Sequence, residues 1–359
     1  MRGVLVTADR GPDAAYEIFE IPDFTLVCGQ TLRPARIAYR TYGTLNADKS
    51  NAIVYPTWYS GRHWDNEWLI GNGSDGMALD PSTWFIIVPN MLGNGLSSSA
   101  SNTPQPFDGP RFPRITVRDN VESQYRLVTE KFGIETLALV LGWSMGAGQT
   151  YQWAVEHPEM VQRILPFCGS PRTAPHNQVF LDSLRAALTA SVGFDAGWYP
   201  PDRWPVGGLR AFARIYAGWG FSQAFYLEEA WRTLGHTSLE DFVVDFWEGF
   251  FLDGRDPNNL LTMLDTWWSG DVGLTPGFGS TEEALASIKA RAIVMPAEKD
   301  LYFPPEDEAW AVSQMTGCSV EHRVIPGVWG HFAGGGKYDV DTAFINAAVA
   351  ELLASDPGI

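Results

Sequence analysis

Ser144 lies in the run Gly142-Trp143-Ser144-Met145-Gly146, between an apolar stretch and a helical one. G-x-S-x-G in a strand–turn–helix context is a nucleophile elbow, a sharp turn that lifts a hydroxyl above the strand end. The two glycines carry no Cβ to collide across that turn, and the opening helix aims its N–H groups at the same place. Such a serine needs a base, and the base needs an orienting acid. His331 closes Pro326-Gly327-Val328-Trp329-Gly330-His331, a Gly-flanked loop after a late strand, and is the expected base. Asp300, in the loop after residues 292–295, is the expected acid, with Glu298 its competitor two positions earlier. An acyl-transfer intermediate also requires two N–H donors at its oxyanion. Met145 should supply one. The loop Pro56-Thr57-Trp58-Tyr59-Ser60-Gly61 should supply the other, from Tyr59 in preference to Trp58. His63, Trp64 and Trp68 continue that loop, where walling the pocket and plain packing are equal expectations. His157, His176, His236 and His322 fit caps, the lid or a strand.

The elements that must position these residues are legible. Residues 16–42 alternate with period two and read as a β-ribbon broken at Gly29. Short apolar runs at 51–55, 84–88, 137–141, 162–167, 292–295 and 321–325 end at Gly or Pro. Spaced by helical segments at 121–131 and 148–156, and followed by one at 339–354, they predict an α/β fold with a mostly parallel sheet covered on both faces. Residues 171–280 are too long for a crossover and carry amphipathic segments, predicting an inserted helical lid on a core of 1–170 and 281–359. The helices are expected around 178–190, 208–216, 222–234, 239–252 and 259–267.

The composition narrows the function. Across 359 residues, 25 Lys+Arg stand against 42 Asp+Glu, a formal charge of −17, which opposes phosphate-backbone and anionic-membrane binding. Hydrophobic residues at 45% supply a core, and 15 Trp are unusual; seven of them fall within 171–280. Cys28, Cys168 and Cys318 are sparse and odd in number, predicting buried free thiols in a reducing cytoplasm. No metal-ligand spacing occurs, so no metal is expected. Gly93-Asn94-Gly95 lacks the ending of a phosphate loop and reads as a loop beside the site. The first residues contain no apolar signal-like stretch, and no run of 18 apolar residues occurs, so neither export nor a membrane span is expected.

Taken together, IAYRTYGTLN at 37–46, GWSMGAGQTYQWAVEHPE at 142–159, GLRAFAR at 208–214, DPNNLLTMLD at 256–265, KDLYFPPE at 299–306 and GH at 330–331 resemble the homoserine O-acetyltransferase family of α/β-hydrolases. The resemblance runs along nearly the full chain. It implies the α/β-hydrolase fold, Ser144, Asp300 and His331 as nucleophile, acid and base, an acyl-serine intermediate, no cofactor, and often a homodimer. The departures bear on the substrate. Family members that acetylate amino acids follow the catalytic histidine with Asp, and here Phe332 follows it. Trp143 and Trp58 replace small residues, so Trp58, Trp143 and Phe332 are expected to line an apolar pocket. Arg214 matches a lid arginine of the family and is a substrate-binding candidate, the match leaving a carboxylate contact open. The pattern resembles the family's alkyl-acetate esterase branch, implying a serine esterase for small neutral acetyl esters. The alternative is an acetyltransferase moving acetyl from acetyl-CoA to an alcohol such as homoserine. A non-enzymatic binder would not need all three residues, and dehalogenases of this fold carry an acid where Ser144 stands.

Overall fold

The computed structural model describes residues 15–357; the beginning of the N-terminal stretch lies outside them. The strands are β1 (Glu17–Ile21), β2 (Phe24–Thr25), β3 (Thr31–Leu32), β4 (Ala35–Tyr42), β5 (Ala52–Val54), β6 (Phe85–Pro89), β7 (Leu139–Trp143), β8 (Arg163–Phe167), β9 (Arg291–Val294) and β10 (Val320–His322). The helices are α1 (Val117–Arg126), α2 (Met145–Glu156), α3 (Pro175–Thr189), α4 (Val206–Gly220), α5 (Gln223–Leu227), α6 (Leu239–Phe242), α7 (Gly249–Leu252), α8 (Pro257–Trp268), α9 (Thr281–Ala286), α10 (Pro305–Gln314) and α11 (Asp339–Ala354). Eight strands form one sheet in the order β1-β4-β6-β5-β7-β8-β9-β10. β1 and β4 pair antiparallel, β4 joins β6 antiparallel, and β5 to β10 run parallel. The 16–42 ribbon is therefore β1 with β4, and β2 with β3 makes a small separate hairpin between them.

The apolar runs are continuous because both faces of the sheet are covered. Leu139, Leu141 and Trp143 of β7 join one core cluster and Val140 the other; Leu165 and Phe167 of β8 oppose Ile164 in the same way. α1, α9, α10 and most of the buried residues of α2 cover one face, while α11 and the helices α3 to α8 cover the other. β7 starts two residues later than its apolar run suggests and continues into the serine motif. Gly142 pairs with Pro166 and Trp143 with Phe167, so the ladder holds the residue just before Ser144. The segment at 239–252 is broken into α6, a π-helical stretch at Val243–Glu248, and α7. Of the cysteines, all free, only Cys168 is buried; Cys28 is exposed between β2 and β3, contrary to the expectation of three buried thiols. Among the described residues no helix is long and apolar enough to cross a membrane.

α10 was not expected, and it buries an acid. Glu308 is 1% exposed and accepts from the Tyr151 hydroxyl at 2.6 Å, while its Oε1 has no partner among the described residues. Burial pushes this carboxyl from 4.5 up to about 8. A carboxyl whose pKa rises on folding binds more protons folded than unfolded, so stability declines as pH climbs from about 4.5 to about 8. Glu308→Gln should flatten that decline, read as a Tm–pH curve shallower by on the order of a few °C. An unchanged curve would refute the assignment.

Candidate active site

The elbow geometry is realised. Ser144 sits at φ 58, ψ −123 between β7 and α2, a conformation L-residues avoid without tertiary support. A Cβ on Gly142 would stand 2.3 Å from the Gly146 backbone, so only glycine fits there. Gly146 instead faces the Pro56 carbonyl, 3.0 Å from where its Cβ would be. Met145 is the first residue of α2, its N–H ahead of the first intrahelical bond and next to the serine.

Ser144, His331 and Asp300 are brought together although 31 and 187 residues separate His331 from Asp300 and Ser144. Ser144 Oγ lies 3.0 Å from His331 Nε2, and His331 Nδ1 lies 2.8 Å from Asp300 Oδ2. With the proton on Nδ1, the imidazole donates to the carboxylate and accepts from the hydroxyl, the arrangement for drawing a proton off Oγ. Asp300 Oδ1 accepts from the N–H groups of Tyr302 at 2.8 Å and Phe303 at 3.2 Å, so the acid is held on both oxygens. Glu298 points elsewhere and pairs with Lys299 at 3.3 Å, half exposed. The base loop is held by Trp143, whose Nε1 donates to the His331 carbonyl at 3.1 Å and whose ring stacks on the imidazole at 4.9 Å. Gly330, at φ 58, lets this loop press on the insert: a Cβ there would meet Ser222 N at 2.8 Å.

The serine opens on a cavity of about 490 Å³ to which Trp58, Tyr59, Trp143 and Phe332 all contribute. Trp58 packs edge-on to Trp143 at 4.7 Å and parallel to Phe250 at 6.3 Å. Phe332 stacks on Phe221 at 4.5 Å. Tyr59 is anchored by its hydroxyl, which donates to the Leu260 carbonyl of α8 at 3.0 Å. Besides His331, the charged residues of the lining are Asp65, Asp245, Asp253 and Lys337. Ser144 and Met145 also border a much smaller recess of about 30 Å³.

Several expectations need correction. Arg214 does not line the cavity: its guanidinium is taken by Glu248 at 2.6 Å and Glu240 at 2.7 Å on the flank of α4, which leaves no contact for a substrate carboxylate. Of the seven lid tryptophans only Trp247 and Trp267 reach the cavity, while Trp329 packs away from it against Phe225 and Tyr338. His63, Trp64 and Trp68 do not line it either; His63 is buried beside Asn90 and Trp68 packs on Phe167. The loop at 93–95 supports from behind, where Asn94 donates to the Gly61 carbonyl at 3.0 Å. Tyr302 and Phe303 join the site through their N–H groups on Asp300, the pattern of an Asx turn, in which an aspartate is followed at two and three positions by N–H donors. His236, Asp241 and Asp245, the last of them also a cavity-lining residue, place ligand atoms within 4.8 Å of one another, as exposed acidic groups often do without a metal.

This sheet, elbow and hydrogen-bonded trio define the class: the chain belongs to the α/β-hydrolase family, within the group that unites acetate esterases and homoserine O-acetyltransferases. The family profile described as alpha/beta hydrolase fold matches residues 75–192. The chain is 39% identical to the ethyl acetate hydrolase of Pseudomonas veronii over 99% of both proteins. It superposes on the solved acetyl esterase MekB with a TM-score of 0.91 at 40% identity, covering 95% of this chain and 97% of that one. The homoserine O-acetyltransferase of Chlorobaculum parvum is 33% identical, over 79% of this chain and 81% of that protein.

Proposed function

We propose that the protein is a serine carboxylic-ester hydrolase for small neutral acetyl esters, with Ser144 as nucleophile, His331 as general base and Asp300 as its orienter. One observation carries the substrate class: aromatic rings make up most of the lining of the cavity at Ser144, and the side chain directly after His331 is the Phe332 ring, packed among Trp143, Phe221 and Trp247, with the charged Asp65, Asp245, Asp253 and Lys337 contributing elsewhere in the lining. A buried charged head group would need a paired charge there. The ethyl acetate hydrolase and acetyl esterase named above support the same reading.

Ser144 Oγ attacks the ester carbonyl as His331 Nε2 takes its proton, and the Tyr59 and Met145 N–H groups receive the oxyanion. The imidazolium, stabilised by Asp300, returns the proton to the leaving alcohol, and acetyl remains on Oγ. Water then loses a proton to His331, attacks the acyl carbon and releases acetate, restoring the serine. No step needs a cofactor.

Parallel assays with p-nitrophenyl acetate, and with acetyl-CoA plus homoserine, test this. Rapid ester hydrolysis without homoserine-dependent CoA release is the expected result, whereas fast CoA release that requires homoserine would make the protein a transferase. We extend the proposal to a cytoplasmic location, supported by the sparse, odd number of free cysteines, and to a homodimer, supported by the family resemblance; sedimentation velocity at micromolar concentration measures the assembly.

A further inference from the structure

The imidazole of His331 sits among aromatic rings. Trp143 lies closest to parallel with it, the centroids 4.9 Å apart and the planes at 26°. Tyr302 stands nearly perpendicular at 4.8 Å, and Phe303 is tilted at 5.6 Å. Trp143 and His331 are 3% and 5% exposed, so water has little access to either ring. Asp300 meets the imidazole at Nδ1, at the ring's edge, whereas the indole lies against its face.

This stack is built into the turn that carries the base. A Cβ at Gly334 would stand 2.4 Å from Trp143 Cδ1, and one at Gly335 would stand 3.2 Å from its Cη2. Any larger residue at Gly334 would push the indole off the turn. Trp143 Nε1 also donates to the His331 carbonyl at 3.1 Å, which fixes the two rings to each other.

The π face of an indole attracts a cation, and does so most strongly where both are shielded from water. His331 becomes that cation when Nε2 takes the Ser144 proton, and it is neutral again once the proton passes to the leaving alcohol. An interaction that strengthens as charge develops lowers the barrier without tightening substrate binding. We propose that Trp143 is a positioning residue whose π face stabilises the His331 imidazolium in both acylation and deacylation. The inference rests on the ester-hydrolase reading, in which His331 carries the proton in each step. It gives the residue before the serine, which the G-x-S-x-G pattern leaves open, a part in the chemistry beyond walling the cavity.

Site-specific replacement of Trp143 by mono-, di- and trifluorotryptophan tests this, because fluorine drains the π face while nearly preserving shape. Fluorine also makes the indole N–H a better donor, so a role confined to the bond with the His331 carbonyl predicts no loss. With p-nitrophenyl acetate, kcat and kcat/KM should fall together at each added fluorine, by about tenfold in all for the trifluoro enzyme. Trp153 serves as the control. It is fully buried on α2 and donates to Gln124 at 2.8 Å, and the same series there should leave both constants unchanged. A flat or rising series at Trp143, a change confined to KM, or an equal fall at Trp153 would overturn the inference. If the unmodified enzyme leaves p-nitrophenyl acetate and other acetates intact, the ester-hydrolase reading itself falls, a result distinct from a flat series.

Discussion

Ser144→Ala should lower kcat for p-nitrophenyl acetate by about 10⁶, the loss seen when the nucleophile of a serine hydrolase is removed. Initial rates check this, and mass spectrometry of quenched enzyme adds a second readout: an acetylated species in the wild type and none in the variant. The fold should survive. Alanine retains the Cβ, and the backbone at φ 58 is imposed by β7, α2 and the Gly142–Gly146 approach, not by the hydroxyl. The Tyr59 and Met145 N–H groups remain, so a residual rate above that in water is expected. Turnover within tenfold of the wild type would remove Ser144 from the chemistry.

Asp300→Asn is expected to cost about 10⁴ in kcat, because an amide facing His331 Nδ1 favours the tautomer that cannot accept the serine proton. The neighbouring substitution sharpens the test. Glu298 is half exposed and paired only with Lys299, so Glu298→Gln should stay within about twofold, in keeping with the small effect of surface ion pairs. Reversal of these two results would transfer the role of acid to Glu298. Circular dichroism on both variants keeps a folding defect apart from a chemical one, since Asp300 also caps the turn at Tyr302 and Phe303.

Much of this was legible in the chain because some constraints act locally. The parallel strands announce themselves as apolar runs since residues such as Leu139 and Val140 enter opposite cores and neither face meets water. The elbow is a local steric problem that Gly142 solves. The strand-and-loop pattern leaves Glu298 as a competitor to Asp300, because which of two nearby carboxylates turns inward depends on contacts the loop makes far along the chain. Arg214 shows the limit most clearly. Its motif matches, but its destination depends on Glu240 and Glu248, 26 and 34 residues away and brought alongside by packing of the lid helices. The tryptophan count misled in the same way: indoles fill a lid core and line a pocket with equal ease, and only Trp247 and Trp267 of the seven do the latter. α10 escaped notice because its Pro-Glu-Asp-Glu opening is acidic rather than apolar, although acids in a first turn are a helix signal.

The bond from the Tyr59 hydroxyl to the Leu260 carbonyl ties the residue proposed to receive the oxyanion to helix α8. The insert is therefore more than a cover. The loop carrying Tyr59 is buttressed from the insert side by this bond, while Ser144 and His331 are tied together on the core side through Trp143, so the proposed oxyanion loop and the hydrogen-bonded trio draw their rigidity from different stretches of the chain.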